Sequence, residues 1–353
     1  MLKEFLSKRV SLPHVSNRLV RAGARLSAAL ASCFVLILCD SAALADNAIS
    51  TNWRDYAIVG QNTISLNSYS TVLGDIYSAG DMTLQFGYGI QRPSENAGNM
   101  YTQGNFAENS LSQVTGNVAA NGNVTILGSA NLTGNVAYGG TLSYPYQSSI
   151  NGTVTQKANS VPSVALPAPK VFTPGTQNIN ATNDLTLPPG SYGDVKFSGL
   201  YDNLALSSGD YFLKSLNVPN SNNLYLNLTN GPIRVFVQGD ITTSGYLRTY
   251  VNGTEATDGA VPRSLAANVL FETHGNLTIG YHAFDFFGTM YAPYGAVNAD
   301  VRDMCGSILA GGPISANVYL VGQTCTAIPE PSSGVLAGFA VLALTAWIWR
   351  RRK

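Results

Sequence analysis

The chain has 353 residues, of which only 11% are charged, and its 20 basic residues balance its 20 acidic residues. Half of the basic residues lie at the two ends, so residues 46–328 hold 10 basic and 17 acidic residues, a net charge of about −7. A mildly acidic, sparsely charged surface argues against nucleic acid and anionic lipid as partners of this central region.

The first 45 residues have the order of a removable export signal. Six basic residues lie within residues 1–25, an apolar run covers residues 26–38, and Ala43-Leu44-Ala45 has the small-x-small pattern that signal peptidase accepts. We therefore predict a signal helix that is cleaved after Ala45, with Ala43 and Ala45 as the recognised residues. The apolar run is shorter than the ~20 residues that span a membrane. A retained transmembrane anchor is the alternative.

An internal repeat dominates residues 46–159. A Gly-polar-apolar triplet recurs every 18 residues, at Gly98, Gly116, Gly134 and Gly152. An earlier copy begins at Gly74, and its wider separation from Gly98 predicts an inserted loop within residues 87–95. Glycine corners joined by short runs of alternating apolar residues allow successive coils to stack their inward side chains into one narrow core. We therefore predict a β-solenoid here, called block one.

Prolines interrupt this pattern in residues 160–178, at Pro162, Pro167, Pro169 and Pro174. Because proline cannot donate a hydrogen bond to a strand ladder, this segment is predicted to be a linker or a strap across the solenoid.

A second solenoid block, called block two, is predicted over residues 179–328. Residues 185–192 match residues 204–211 at a spacing of 19, and residues 224–226 continue the series 20 residues later. Residues 288–292 match residues 306–310 at a spacing of 18. One block with a long excursion is an equivalent arrangement of the same repeats.

These patterns together predict an all-β chain. Its body is a β-solenoid with coils of about 18–20 residues, flanked by an N-terminal signal helix and a C-terminal transmembrane helix. A β-sandwich or jelly roll, with strands spaced about 8–12 residues apart, is the competing fold, but it explains an exact 18-residue recurrence less well. The Gly-Asn/Asp-apolar pattern weakly resembles bactofilin-like and other polymer-forming β-helical surface proteins, and no function is taken from that likeness.

Two cysteines, Cys305 and Cys325, remain once a signal peptide carrying Cys33 and Cys39 is removed. An even pair in an exported protein predicts a disulfide. The two residues are 20 apart, about one coil, and adjacent coils lie about 4.8 Å apart, which is within the Cα separation that a disulfide permits. In the chain-entropy model such a bond would stabilise the last coil by about 3 kcal/mol.

Residues 329–353 carry the most specific motif of the chain. Pro329-Glu330-Pro331 precedes an apolar stretch at residues 334–349, and a membrane-stop basic cluster closes the chain, formed by Arg350, Arg351, Arg352 and Lys353. Basic residues beyond an apolar segment stay in the cytoplasm, which predicts a transmembrane helix. Its 16 residues reach about 24 Å, short of a ~30 Å hydrocarbon core, so the anchor is expected to be transient.

In this order the tail closely resembles the PEP-CTERM sorting signal. The resemblance covers residues 329–353 and implies the route of the protein: an exosortase recognises Pro329, Glu330 and Pro331, cleaves there, and the protein reaches the cell surface or extracellular matrix. A plain C-terminal membrane anchor is the alternative. The resemblance implies nothing about the function of the body.

No catalytic constellation is visible in the sequence, and we predict no enzymatic activity and no cofactor. The nearest set of carboxylates is Asp194, Asp202 and Asp210, which lie beside glycines, where aspartate usually forms turns. A polysaccharide-active enzyme is the alternative, and it would gain support if Asp194, Asp202 or Asp210 met Lys196 or Arg234 in a groove.

A metal site is not predicted either. Asp300 and Asp303 supply too few oxygen atoms for Ca²⁺, and His274 and His282 lack the spacing of metal ligands. Aromatic residues cluster within residues 138–146 and 281–294, where exposed tyrosines could stack on sugar rings while phenylalanines are expected in the core. No regular Thr-x-Thr ladder is visible.

The sequence therefore predicts an exported structural or adhesive protein of the cell surface or extracellular matrix. Signal peptidase and an exosortase are the expected partners during export, exopolysaccharide is the expected partner afterwards, and nucleic acid is not expected. The membrane association through the C-terminal helix is transient. A self-assembling surface scaffold, formed by end-to-end stacking of uncapped coils, is a further hypothesis.

Overall fold

The computed structural model describes residues 49–322, except residues 68–69, 86–94, 110–111, 129, 146–147, 200–201, 220–221 and 257–259. The predicted signal helix, the inserted loop, Cys325 and the sorting tail with its Pro-Glu-Pro motif and basic cluster lie outside the described residues, and they remain predictions. Across the described ranges, no helix has both the length and the apolar character needed to cross a membrane.

Block one is built from short strands. They are β1 (Tyr56–Gly60), β2 (Ile64–Leu66), β3 (Thr71–Leu73), β4 (Asp75–Ser78), β5 (Met82–Leu84), β6 (Glu95–Ala97), β7 (Met100–Thr102), β8 (Phe106–Glu108), β9 (Gln113–Thr115), β10 (Val118–Ala120), β11 (Val124–Ile126), β12 (Asn131–Thr133), β13 (Val136–Tyr138), β14 (Leu142–Ser143), β15 (Ser149–Ile150) and β16 (Val154–Gln156). A 3₁₀ helix, Trp53–Asp55, precedes β1.

Block two begins with short strands and ends with three long ones. They are β17 (Ile179–Ala181), β18 (Leu185–Leu187), β19 (Gly190–Ser191), β20 (Asp194–Phe197), β21 (Asn203–Ser207), β22 (Gly209–Leu213), β23 (Ser215–Val218), β24 (Asn223–Asn227), β25 (Ile233–Val237), β26 (Ile241–Thr243), β27 (Arg248–Val251), β28 (Thr254–Glu255), β29 (Val269–Thr273), β30 (Leu277–Ala292), β31 (Val297–Ala310) and β32 (Ile314–Gly322). A second 3₁₀ helix, Arg263–Asn268, precedes β29.

The prediction of an all-β chain of solenoid type is confirmed, because the described residues are nearly all-β and pair mainly in parallel. Parallel pairing follows from the repeat itself, since each coil runs in the same direction as the one before it. Among the described strand pairs, β27–β28 is the antiparallel exception.

The strands lie on three sides of the coils, which we call sides 1, 2 and 3. Side 1 runs through β17, β20, β23, β26, β30, β31, β32, β2, β5, β8, β11 and β14. Side 2 has one sheet of β18, β21, β24, β27 and β28, and a second ladder from the middle of β30 and β31 through β32, β3, β6, β9, β12 and β15. Side 3 runs through β19, β22, β25, β29, the ends of β30 and β31, β1, β4, β7, β10, β13 and β16.

The order of the coils in space differs from their order in the sequence. The last strand, β32, supplies sides 1 and 2 of one coil, and the first strand, β1, supplies its third side by pairing with the end of β31 (Ile58 beside Ile308). Next, β2 pairs with β32 through Ile64 and Ile314. Block two therefore stacks on the beginning of block one, and both ends of the described chain meet in the middle of the rod.

The predicted repeats coincide with the observed register. Val118 pairs with Val136 at the 18-residue interval, and the wider interval appears where Ile76 pairs with Met100. In block two, Leu185 pairs with Leu204, and Gly288 with Gly306. The predicted period does not hold throughout block two, because 36 residues separate the paired Ile241 and Leu277. The additional residues form β28 and the 3₁₀ helix before β29.

Inward side chains stack into columns that form the core. On side 3, Ile76, Met100, Val118 and Val136 follow one another in register, and each is at most 1% exposed. Burying an aliphatic side chain of this size contributes about 1.5–3 kcal/mol. One coil cannot bury its own inward face, so this stabilisation comes from the stacking of neighbouring coils.

Glycine and asparagine define the corners of block one. Gly134 has φ +154°, and a Cβ there would lie 2.0 Å from the carbonyl oxygen of Gly116, so no larger residue fits. One residue further, the Oδ1 of Asn117 accepts the backbone N–H of Asn135 at 2.9 Å, and Asn135 accepts that of Thr153 at 2.8 Å. The asparagines thus satisfy backbone donors that the corners leave outside the strand ladders.

The proline-rich segment lies along side 3. The backbone of Val161 is bound at both its N–H and its carbonyl by the side-chain amide of Asn121, at 2.9 and 3.0 Å. Further along, Gln61 Nε2 donates to the carbonyl of Val164 at 2.6 Å, and the Glu272 carboxylate accepts the N–H of Lys170 at 2.6 Å. These contacts extend from block one to block two and support the prediction of a strap.

Cys305 lies in β31, half-buried, between Phe287 of β30 and Val321 of β32 in the register. The residue stacked on it in the next coil is thus Val321. Cys325 lies outside the described residues, and the disulfide stays a prediction.

Candidate functional site

Side 1 carries a single file of outward side chains along the whole rod, one from each strand. In spatial order the file is Asn180, Lys196, Asn217, Thr242, Thr278, Asn298, Ser315, Ser65, Thr83, Ala107, Thr125 and Ser143. All of them are exposed or half-buried. We call this row the polar file. The members of the polar file are hydroxyl and amide side chains with one lysine and one alanine, so the file is polar and carries a single charge.

A groove opens on side 1 where the two blocks meet. Its volume is about 370 Å³, and it is lined by Asn67, Thr278, Ile279, Gly280, Asn298, Ala299, Asp300, Ser315 and Asn317. Three of these residues belong to the polar file, and Asp300, Asn317 and Asn67 lie two positions further along the same strands or just beyond them. Gly280 has no side chain to fill the corresponding position in β30, so the groove opens there.

Hydrogen bonds between side chains hold the walls of the groove. Asn67 Nδ2 donates to Ser315 Oγ at 3.0 Å, and Ser65 Oγ donates to Asn67 Oδ1 at 3.3 Å. Between the neighbouring strands β31 and β32, Asn317 Nδ2 donates to Asp300 Oδ1 at 3.1 Å. Asn67 comes from block one and its partner Ser315 from block two, so the groove exists only because the last coil of the chain stacks on the first.

The side chains that line the groove supply both hydrogen-bond donors and acceptors. Hydroxyl and amide groups both donate and accept hydrogen bonds, and the carboxylate of Asp300 is a strong acceptor. Asp300 is the one ionisable residue among those that line the groove in the described part of the chain. General acid–base hydrolysis of a glycosidic bond uses a pair of carboxyl groups. The groove supplies one carboxyl group, that of Asp300.

The three candidate carboxylates of the sequence do not come together. Asp194 lies on side 1 and accepts hydrogen bonds from Ser215 Oγ at 2.7 Å and Lys214 Nζ at 3.2 Å, which lower its pKa. Asp210 lies on side 3 and forms a two-point ion pair with Arg234, at 2.7 and 3.0 Å. The remaining one, Asp202, is buried beside side 2.

The two basic residues considered with that set lie on different sides of the rod. Arg234 is held by Asp210, and Lys196 extends from the polar file on side 1. The enzyme hypothesis asked for one of the three aspartates beside Lys196 or Arg234 in a groove. Asp210 does pair with Arg234 on side 3, and neither residue lines the groove on side 1. Exposed ion pairs of this kind contribute little to stability, about 0–1 kcal/mol.

The residues considered for metal binding are likewise apart. Asp300 lines the groove, whereas Asp303 faces Asp285 on side 2 and pairs with Arg302 at 2.9 Å. His274 Nε2 lies 3.2 Å from Glu272 Oε1, beneath the strap, and the side chain of His282 is not described. Among the described residues there is no group of three or more His, Cys, Asp or Glu side chains that could hold a metal ion.

Two buried carboxyl groups were not anticipated from the sequence. Glu108 is fully buried in β8, with Ser112 Oγ donating to its Oε1 at 2.9 Å, and burial raises its pKa to about 8. Asp285 in β30 is also fully buried, and burial together with the charge of Asp303 raises its pKa to about 7. The register could have revealed Glu108, because it occupies the inward column of Leu84 and Ile126.

The aromatic residues divide as the sequence suggested. Phe286 and Phe287 are buried in the core, together with Tyr291, whereas Tyr294 is 67% exposed. A stacked pair not singled out in the sequence lies on side 2, where the rings of Tyr225 and Tyr250 are 4.7 Å apart. Each ring covers one face of the other, so this pair is mainly a stabilising cross-strand contact.

Comparison with known proteins places a family match on block two. Residues 177–318 match a family model described as "Domain of unknown function (DUF7305)". No curated protein matches the chain. Among solved structures, the C-terminal domain of tapirin from Caldicellulosiruptor hydrothermalis matches at 13% identity and a TM-score of 0.24, covering 74% of this chain and 54% of that one.

An ice binding protein from an Antarctic bacterium of the Flavobacteriaceae matches at 14% identity and a TM-score of 0.25, covering 75% of this chain and 80% of that one. The match spans about half the length of the tapirin domain. Neither similarity is high enough to assign a function to this chain. The strongest identification is therefore that residues 177–318 are similar to a domain family whose function is unknown.

Proposed function

We propose that this protein is an exported cell-surface or extracellular-matrix protein whose solenoid body binds polysaccharide along side 1. The observation that carries this proposal is the groove at the junction of the two blocks, with its hydroxyl, amide and carboxylate lining. These groups match the alternating donors and acceptors of sugar hydroxyls.

The polar file extends the same chemistry beyond the groove. Adjacent strands lie about 4.8 Å apart, so a polysaccharide lying along side 1 would meet one outward side chain at each step. Long apolar side chains do not interrupt the file, and Ala107 is its only apolar member. Such an arrangement favours many weak contacts with an extended polymer, whose affinities combine through multivalency.

The two ends of the sequence supply the proposed route. Ala43 and Ala45 would direct signal peptidase cleavage, and Pro329, Glu330 and Pro331 would be recognised by an exosortase, as the resemblance to PEP-CTERM tails implies. The helix before Arg350 would hold the protein in the membrane until that step. The finished protein would then lie among the extracellular polysaccharide that side 1 binds.

The proposal is tested by co-sedimentation of the exported protein with exopolysaccharide from the organism that makes it. The protein is purified with its tail in a mild detergent, and polymer size is followed by light scattering. The test variant combines Asn298→Ala with Asp300→Ala and Asn317→Ala. Asp300 and Asn317 bond to each other, so removing both avoids leaving either one without this hydrogen bond. We expect the apparent affinity to fall at least tenfold.

The matched control is Thr133→Ala, an exposed residue on side 2 that should bind as the wild type does. Equal binding by the groove variant and the control would contradict the placement of the site. Absence of any association would contradict the proposed function itself. Shortening of the polymer would favour the enzymatic alternative.

A further inference from the structure

Each end of the rod presents a row of strand edges. At one end, β14, β15 and β16 are hydrogen-bonded only to β11, β12 and β13 among the described strands. At the other end, β17, β18 and β19 are bonded only to β20, β21 and β22. Each of these six strands therefore has one edge of backbone N–H and C=O groups without a partner strand in the described residues.

The inward columns also run to both ends, which leaves their last members more exposed. Val136 is 1% exposed, whereas Val154, the next residue in the same column, is 42% exposed. At the opposite end Val195 is fully buried, but its partner Ile179 is only half-buried. A further coil at each end would bury this apolar surface in the way the internal coils do.

Within the described residues, the six end strands lack the usual protection of an exposed sheet edge. Proteins commonly place lysine or other charged residues, proline or bulges on such strands to prevent pairing with another chain. The six end strands contain no charged residue and no proline. The strap reaches one of these strands, because a Cβ on Gly175 would lie 2.4 Å from the carbonyl oxygen of Ser191 in β19. The strap's hydrogen bonds to Asn121, Gln61 and Glu272 lie further along side 3, away from β14, β15, β17 and β18.

The two ends are complementary to each other. Leu142 is the last member of the side 1 inward column that begins with Ile179, so placing one end on the other would continue that column. The corner ladder would also continue: Asn123 Oδ1 accepts the N–H of Thr141 at 2.8 Å, and at the same corner Asn178 Oδ1 accepts the N–H of Asp194 at 2.9 Å. The Thr141 hydroxyl would stand beneath the N–H of Asn178 in the next molecule.

We propose that a second copy of this chain docks on the open end, so that β14 and β15 of one molecule pair in parallel with β17 and β18 of the next. This contact joins two different surfaces, so it propagates into a filament and does not close as a dimer. Both ends of the described chain, near Trp53 and Gly322, lie at the middle of the rod and away from the end strands. Assembly would also make the polar file continuous from one molecule to the next.

Two charge insertions test the contact, with the exported protein purified with its tail in mild detergent. Leu142→Asp places a carboxylate on the edge of β14, and Ile179→Asp places one on β17. We expect the wild type to form concentration-dependent filaments in electron micrographs and light scattering. Each variant alone should assemble at least tenfold more weakly.

Mixing the two variants is the decisive measurement, because each retains one intact end. A head-to-tail contact predicts that the mixture forms dimers and no filaments, whereas either variant alone stays monomeric. Thr133→Asp, which adds a charge to an interior coil on side 2, is the control and should assemble as the wild type does. Thermal unfolding of all variants verifies that each is folded.

A wild type that stays monomeric as its concentration rises would overturn the proposal. Dimers formed by one variant alone would also overturn it, because they would indicate pairing of like ends. No polysaccharide is present in this experiment, so its result is independent of the proposed function.

Discussion

Block one and block two use the same coil in different ways. In block one the paired residues keep a constant separation in the sequence, apart from the wider step between Ile76 and Met100, and the corners repeat glycine and asparagine. In block two the interval rises to 36 residues between Ile241 and Leu277, and the surface carries ion pairs and stacked aromatic rings. The difference shows that the core requires only the register of the inward columns, while residues outside the columns are free to vary.

The largest expected effect comes from a corner glycine of block one. In Gly134→Ala the new Cβ would lie 2.0 Å from the carbonyl oxygen of Gly116 while φ stays at +154°, so both the backbone and the stacking of the coil must change. We expect the free energy of unfolding in urea to fall by about 3 kcal/mol or more.

Gly231→Ala is the matched change in block two. Its φ is +129°, but nothing lies within 4 Å of the added Cβ, so only backbone strain remains, about 1 kcal/mol. Equal losses in the two variants would show that coil-to-coil contact does not restrict the corners of block one.

A second difference between the blocks is the pH dependence of the buried Glu108. Burial raises its pKa from 4.5 to about 8, so the folded protein keeps a proton that the unfolded chain loses above its ordinary pKa. Glu108 therefore does not lower the free energy of unfolding below about pH 4.5. That free energy falls as the pH rises from there to about 8. In Glu108→Gln we expect the difference in unfolding free energy between about pH 5 and about pH 8 to be smaller by about 2 kcal/mol. Urea unfolding at the two pH values measures this difference.

Burial also raises the pKa of Asp285 in block two, to about 7. A smaller decrease of the unfolding free energy with rising pH should therefore remain in Glu108→Gln. An unchanged slope in Glu108→Gln would mean that Glu108 is already ionised in the folded protein.

The smallest expected effect concerns the strap, which joins the blocks along side 3. Phe172 packs against Phe212 at 5.6 Å, Phe236 at 6.0 Å and His274 at 5.3 Å, measured between ring centroids. In Phe172→Ala we expect a loss of about 1–2 kcal/mol and faster proteolysis within the strap. Val171→Ala, at a side chain that is 91% exposed, is the control and should change neither. A strap cleaved at the same rate in both variants would show that the aromatic contact does not hold it.

The prediction from sequence succeeded where the signal was periodic. The pairing of Leu185 with Leu204, and of Gly288 with Gly306, could be predicted because stacked coils place equivalent residues beside each other at a fixed separation. The same periodicity did not extend to the 36-residue interval before Leu277, because residues that leave the coil need not obey its spacing.

The candidate site was less predictable. Asp300 was considered for calcium and instead lines a polar groove, and Asn67 was not considered at all, since 248 residues separate it from its partner Ser315. The polar file escaped notice because its members, such as Asn298 and Ser315, lie at uneven intervals in the chain. Their alignment depends on register, and no short motif records it.

By itself, the sequence determined the class of fold, the coil period of block one and the columns that form its core, because these follow from local alternation and repeated corners. Only the tertiary structure decided the order of the coils. The placement of β1 beside β31, and with it the groove between Asn67 and Ser315, depends on the fit of two strand edges that are far apart in the chain. Parallel edges of solenoid coils are chemically alike, so local sequence cannot specify which of them meet.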